Sequence, residues 1–181
     1  MSRRALLIID LQNDYFPAGR FPLVGIEAAA ANARRVVDAG RERGDLVVHV
    51  RHESLRPGAT FFAPGTPGAD THHTVLPAGD ERVIVKNSTN SFKDTQLKAV
   101  LDDNGVDDVV IAGAMSHMCI DAAARAAADF GFKVTVLHDA CATRDLAFSG
   151  RSVSAEDVHA AFMAGLANYA TLSSTDTWLK G

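Results

Sequence analysis

The stretch 109–121, Val-Val-Ile-Ala-Gly-Ala-Met-Ser-His-Met-Cys-Ile-Asp, constrains the fold of this chain more than any other. It opens with consecutive apolar residues rich in β-branched types, the pattern of a strand buried on both faces. Gly113 and small residues break the run, and an alanine-rich helical segment follows. The reading is therefore strand, tight turn, helix N-terminus, with a thiol in the first helical turn. With Ser116 as N-cap, Cys119 is the third helical residue, beside unpaired N–H groups and the positive end of the helix dipole. Such a setting is expected to lower a thiol pKa and expose a nucleophilic thiolate. The alternative is a small cysteine packed inside the helix.

The same alternation runs through the chain. Apolar runs at 5–9, 46–50, 83–85, 109–111 and 132–137 are separated by helical or irregular segments. Residues 25–43 place Ile26, Ala29, Ala30, Ala33, Val36, Val37 and Gly40 on one helical face, and Gly44 stops the helix. Asp94 is expected to cap a helix carrying Leu97, Val100 and Leu101. Ser154 starts another, with Val158, Ala161, Phe162, Gly165 and Leu166 inward. A strand near 170–172 and a short helix to Trp178 end the chain. Residues 51–80 and 142–153 read as loops, the second a candidate subunit contact. Strands alternating with helices predict an α/β fold of three layers, a Rossmann-like parallel sheet between helices. With 181 residues and no linker or repeat, residues 1–181 are read as a single domain.

Composition excludes several classes. The chain is 47% hydrophobic and 22% charged with net charge −4, and no basic patch interleaved with aromatics suggests nucleic acid. No apolar run approaches a membrane span. Two cysteines suit a reducing compartment, so a cytoplasmic location with no nucleic-acid or membrane partner is expected.

In parallel sheets ligands bind at the carboxyl ends of the strands. Asp10 follows the first strand, Lys86 the third, and Cys119 comes one turn after the fourth, so all three project at one edge. A buried carboxylate and ammonium are costly unless paired, and their natural partners are each other and the thiol. Such a trio can hydrolyse a small molecule. Lys86 holds a thiolate, Asp10 moves the proton, and backbone N–H groups of Met115 and Cys119 form an oxyanion hole. An Asp10–Lys86 pair of purely structural purpose is the competing reading. Phe16, Phe61, Phe62 and Met115 are candidate pocket walls, His117 a substrate contact or a solvent-facing residue. Arg56, Arg144 and Arg151 are candidates to meet an acidic substrate. His49 is expected in the core and Cys141 as a structural thiol. His138 is either a Cys–His partner or a hydrogen-bonded strand-end residue, and the second is preferred.

These residues carry a family resemblance. The matching pieces are Ile8-Ile9-Asp10-Leu11-Gln12-Asn13-Asp14-Tyr15-Phe16, the run 64–69, Val85-Lys86 with Ser91-Phe92 and Thr95, residues 113–119, and residues 139–145. In this order, over nearly the whole chain, they resemble the isochorismatase-like cysteine hydrolases. The resemblance implies a six-stranded parallel sheet, an Asp–Lys–Cys triad at Asp10, Lys86 and Cys119, and dimers or tetramers. It also implies a non-proline cis peptide at Ala114–Met115 that aims the Met115 N–H at the oxyanion. Family members cleave small amides and carbamoyl compounds through a thioester, or the vinyl ether of isochorismate. The nicotinamidase branch has an Asp-x-His metal pair after the second strand. Here that place reads Arg51-His52-Glu53, so no zinc or other metal cofactor is expected, with His52, His72 and His73 as the alternative candidate cluster. The first reading is amide or carbamoyl hydrolysis and the second ether hydrolysis. The third is a non-catalytic nucleotide-binding or scaffold module, against which stands the absence of a Gly-x-Gly-x-x-Gly after the first strand.

Overall fold

The computed structural model describes residues 3–181. Six strands form one parallel sheet: β1 (Arg4–Ile9), β2 (Leu46–His52), β3 (Arg82–Lys86), β4 (Asp108–Ala114), β5 (Lys133–Ala142) and, after a separate hairpin, β8 (Thr171–Ser173). Their spatial order is β3-β2-β1-β4-β5-β8. The sequence runs outward from β1 in both directions, so the chain reverses direction between β1 and β4, where the crevice of such sheets lies. The expected α/β fold with a six-stranded parallel sheet is what the structure has.

Period-two alternation in the central strands supplies both faces. Ala5, Leu7 and Ile9 of β1 join a core with α2 (Leu97–Asp103), α3 (Asp121–Asp129) and α4 (Ala155–Leu166). Leu6 and Ile8 join the opposite core, with α1 (Ile26–Arg43) and Trp178 of α5 (Thr175–Leu179). α1 buries the full face expected of it, and Gly44, at φ 76°, donates its N–H to the last carbonyls.

Three local expectations are corrected. Asp94 does not cap α2; it has φ 55°, Gln96 occupies the N-cap position, and Thr95 Oγ1 accepts from Leu97 N. Residues 142–153 are not a loop throughout, since β6 (Leu146–Phe148) and β7 (Arg151–Val153) pair as an antiparallel hairpin. Ser154 does cap α4, but Met163 is buried where Ala161 is exposed. α4 packs on α3 and on the turn after β4, so a narrow seam replaces the wide inward stripe expected of a helix lying flat on a sheet.

Two structural features brace the sheet, Glu81 at the amino end of β3 and Gly113 near the carboxyl end of β4. Glu81 accepts from Arg41 Nε at 2.7 Å and from Ala78 N at 2.9 Å, and lies 2.9 Å from Nε2 of buried His49, tying α1, β2 and the approach to β3 together. Burial pushes this carboxyl up, but the Arg41, Ala78 and His49 hydrogen bonds outweigh it and hold its pKa at about 2. Gly113, at φ 137°, sits where a Cβ would fall on the Ile9 carbonyl oxygen. The close approach of β4 to β1 therefore requires glycine on steric and conformational grounds together.

Each feature has a measurable consequence. A folded pKa below the ordinary 4.5 means that Glu81 contributes stability above that pH and loses it as pH falls toward 2. Glu81→Gln should lower the melting temperature at neutral pH, and the two melting curves should converge in acid. Gly113→Ala should cost at least about 3 kcal/mol in urea unfolding, whereas Gly44→Ala should cost only about 1–2 kcal/mol. At Gly44 an added Cβ meets nothing within 4 Å.

Candidate active site

The strand-end rule places the three chemically useful residues together. Asp10 follows β1 in a left-handed conformation (φ 53°), anchored by its N–H to Val50 O of β2 at 2.8 Å. Lys86 ends β3, in register with His52 at the end of β2. Cys119 lies in a π-type turn, Ser116–Ile120, between β4 and α3. Lys86 is two strands from β1, so its side chain reaches across the end of β2.

Lys86 Nζ is the centre of the arrangement. It lies 2.7 Å from Asp10 Oδ2, 3.2 Å from Cys119 Sγ, 3.2 Å from His52 Nδ1 and 3.2 Å from the Ser88 carbonyl oxygen. The Lys86 and Asp10 side chains have no solvent exposure. Burial pulls the Lys86 pKa down, but the Asp10 charge and the hydrogen bonds to Asp10 and Cys119 outweigh it, and the net shift is upward. Burial, reinforced by Asp10, pushes the Cys119 thiol well above its ordinary range, with Lys86 pulling the other way. The expected low-pKa cysteine is thus corrected. Met115 occupies the N-cap position, and Ser116 points elsewhere, with Oγ 2.8 Å from His159 Nδ1 and donating to Ala142 O at 3.3 Å. The sulfur is buried enough that desolvation of the anion exceeds what the ammonium returns.

His52 escaped the sequence reading as a lysine partner. Burial, then the Lys86 charge, pushes its pKa down, so the neutral ring offers Nδ1 as an acceptor. Gln12, itself buried, fixes the His52 backbone on both sides. Its Oε1 accepts from His52 N at 2.7 Å, and its Nε2 donates to His52 O at 2.8 Å. The strand-end rule that yields Asp10 and Lys86 could have found His52 as well.

A cavity of about 1030 Å³ opens over the sulfur. Cys119, Met115, Phe61 and Phe62 line it, and so do Tyr15 and His52. Burial, then the Asp10 charge, pushes the Tyr15 phenol up, so it stays neutral beside the sulfur. Phe16 and His117 are not among the lining residues. Phe16 stacks on His72 with ring centroids 3.4 Å apart, and His117 Nδ1 lies 2.6 Å from Thr143 Oγ1. Arg56 lines the cavity; Arg144 instead lies over the Phe21 ring, and Arg151 is exposed on the hairpin. His138, on β5, is felt electrostatically by His159 and does not line the cavity. Cys141 is buried with its thiol pushed up to about 12 by desolvation, a structural thiol as expected. A second, more open hollow of about 590 Å³, lined by Arg51, Asp70 and His73 among others, contains none of the three strand-end groups.

The peptide bond Ala114–Met115 is cis. Among the described residues no three His, Cys, Asp or Glu side chains are arranged to hold a metal ion. His52 faces Lys86, His72 Nδ1 lies 2.9 Å from Thr74 Oγ1, and Arg51 pairs with Glu53 at 2.7 Å. No described helix is long and apolar enough to cross a membrane.

Residues 4–177 match the isochorismatase domain. The chain is 46% identical over 177 residues to the uncharacterized isochorismatase family protein YddQ of Bacillus subtilis, spanning 97% of this chain and 98% of that relative. It is 32% identical over 155 residues to the maleamate amidohydrolase of Pseudomonas putida, spanning 77% of this chain and 72% of that enzyme. The crystal structure of a protein described as an isochorismatase hydrolase from Oleispira antarctica matches it with a TM-score of 0.96 at 49% identity, covering 99% of this chain and 97% of the other. A domain match over nearly the whole length, on a sheet of this order with a cavity at its carboxyl edge, places the chain in the isochorismatase family of hydrolases.

Proposed function

We propose that this hydrolase cleaves a C–N bond, amide or carbamoyl, of a small molecule through a thioester on Cys119. The observation that carries the reading is the convergence of Asp10, Cys119 and His52 on one buried ammonium, within 3.2 Å of Lys86 Nζ, beneath a cavity that reaches the sulfur. The amidohydrolase named among the relatives supports the choice of bond.

The chemistry starts from a neutral thiol. Asp10 removes the Cys119 proton as the sulfur attacks the carbonyl carbon, and Lys86 compensates the charge forming on sulfur. The N–H groups of Met115 and Cys119, both cavity residues, receive the developing oxyanion. Collapse of the tetrahedral adduct breaks the C–N bond, and Asp10 returns its proton to the leaving nitrogen. Water, deprotonated by Asp10, then attacks the thioester. The product acid leaves and the thiol is restored. His52, neutral and fixed through its backbone by Gln12, keeps the Lys86 ammonium aimed between carboxylate and sulfur. A proton held on sulfur at rest limits oxidation and alkylation until a substrate carbonyl is in place.

Two measurements follow. Cys119→Ala, Lys86→Ala and Asp10→Asn should each reduce ammonia release from an amide panel by roughly 10²–10⁴-fold or more while leaving the circular dichroism spectrum unchanged. Wild-type activity in all three would overturn the assignment, and isochorismate hydrolysis surviving in Cys119→Ala would identify ether cleavage. Iodoacetamide should label native Cys119 more slowly at neutral pH than it labels a cysteine of the unfolded chain, because the folded thiol pKa is raised. Asp10→Asn, which removes a cause of that rise, should speed the labelling.

A further inference from the structure

The turn between β4 and α3 is gripped from outside the sheet. Met115 is its N-cap, and Cys119 lies within it. Ser116, which follows Met115, is fully buried, and its Oγ reaches two groups. One is the Ala142 carbonyl at the end of β5, at 3.3 Å. That is longer than the roughly 2.5–3.0 Å of an ordinary O–H···O bond. The other is Nδ1 of His159 on α4, at 2.8 Å. A carbonyl oxygen only accepts, so the hydroxyl proton goes to Ala142 and His159 donates Nδ1–H to Oγ. Without the imidazole the buried hydroxyl keeps only the long contact. His159 does not line the cavity. α4 also meets the turn through Phe162, whose ring stands edge-on to His117, and its own start is fixed by Asp145 Oδ1, which accepts from Ala155 N at 2.7 Å. Within the turn the Met115 carbonyl accepts from Met118 N at 3.0 Å and Ile120 N at 3.2 Å. The N–H of the same residue has no backbone acceptor among the described residues, although Met115 is buried. A buried N–H in that condition is a donor available to a ligand.

We infer that His159 is a positioning residue for the oxyanion hole: through Ser116 it holds the Met115 N–H where the substrate carbonyl oxygen becomes negative. This deepens the proposed thioester chemistry and rests on it for the role of that N–H. An oxyanion donor is most effective when it is already in place and need not reorganise as charge develops. The hydrogen bond from α4 supplies that rigidity next to the donor, at Ser116. The sulfur is held separately, by Lys86 Nζ at 3.2 Å, so a loosened Ser116 leaves the nucleophile where it was. Charge on the carbonyl oxygen exists only in the adduct and the transition states beside it. The contribution of His159 therefore appears in kcat and not in KM.

The test uses His159→Ala, His159→Asn and Ser116→Ala. On whichever amide of the panel is turned over, His159→Ala should lower kcat by about 10–10²-fold with KM little changed. His159→Asn, which can place an amide N–H near the position of Nδ1, should recover most of that loss. Ser116→Ala/His159→Ala should lose no more than the worse single variant, because both break one contact. Iodoacetamide reports on the sulfur alone: an S–C bond forms, iodide leaves, and no charge develops on a carbonyl oxygen. Its rate at Cys119 should be the same in His159→Ala as in the wild type. A kcat unchanged in His159→Ala, a loss that Asn does not recover, or an alkylation rate that falls with kcat overturns the inference and leaves amide hydrolysis standing. Butyraldehyde supplies a readout that needs no C–N cleavage. Cys119 sulfur adds to its carbonyl carbon, the thiol proton ends on the oxygen, and that oxygen occupies the hole. Adduct formation, followed by carbon-13 NMR, should weaken by about tenfold in His159→Ala and recover in His159→Asn. If no amide is turned over but the aldehyde is captured, the amide reading fails and the aldehyde series decides the inference: the stated pattern supports it, and equal capture overturns it. A wild type that does neither overturns both.

Discussion

The buried ammonium of Lys86 is the constraint to which the site end of this molecule is fitted. A lysine with a fully buried side chain needs its charge opposed and its donors used. Here the opposing charge is Asp10, and the remaining acceptors are the Cys119 sulfur, His52 Nδ1 and the Ser88 carbonyl. Each partner comes from a different part of the chain. Asp10 depends on the end of β1, His52 on the end of β2, Ser88 on the chain leaving β3, and Cys119 on the turn after β4. The register of β2 on β3, which sets His52 opposite Lys86, is therefore as necessary to the site as any of the polar side chains.

The surrounding structure serves that placement. Gln12 secures both backbone groups of His52, and its Nε2 also reaches Ala69 O at 2.7 Å, which ties the long segment before β3 to the end of β1. Asp14 does the same further out, accepting from Phe62 N at 2.6 Å and so holding one wall of the cavity. Gly113 lets β4 approach Ile9 closely enough for the following turn to sit beside Asp10. These are packing and hydrogen-bonding devices, and none of them touches the sulfur.

The electrostatics of the site disfavour a thiolate at Cys119. Lys86 remains charged, while burial and the proximity of Asp10 hold the Cys119 thiol neutral. A helix terminus lowers the pKa of a thiol in contact with solvent, and here the burial of the sulfur reverses the direction. In the proposed mechanism the nucleophile forms only as it attacks, with Asp10 as the adjacent base in place of a standing thiolate.

What the sequence determined by itself follows from short-range rules. Alternating apolar runs and the face of α1 defined the layers, and the position of Asp10 and Lys86 at strand ends sent both to one edge, because strand direction in a parallel sheet leaves no other choice. Only the tertiary structure decided the rest, since it depends on contacts between segments distant in the chain. Phe16 stacks on His72 and His117 meets Thr143, and neither lines the cavity. His52 becomes a lysine partner because β2 and β3 pair in one register, and Ser116 leaves the expected cap to face His159. The protonation of Cys119 was likewise beyond local reading, because desolvation is a property of everything packed around an atom and not of its neighbours in sequence.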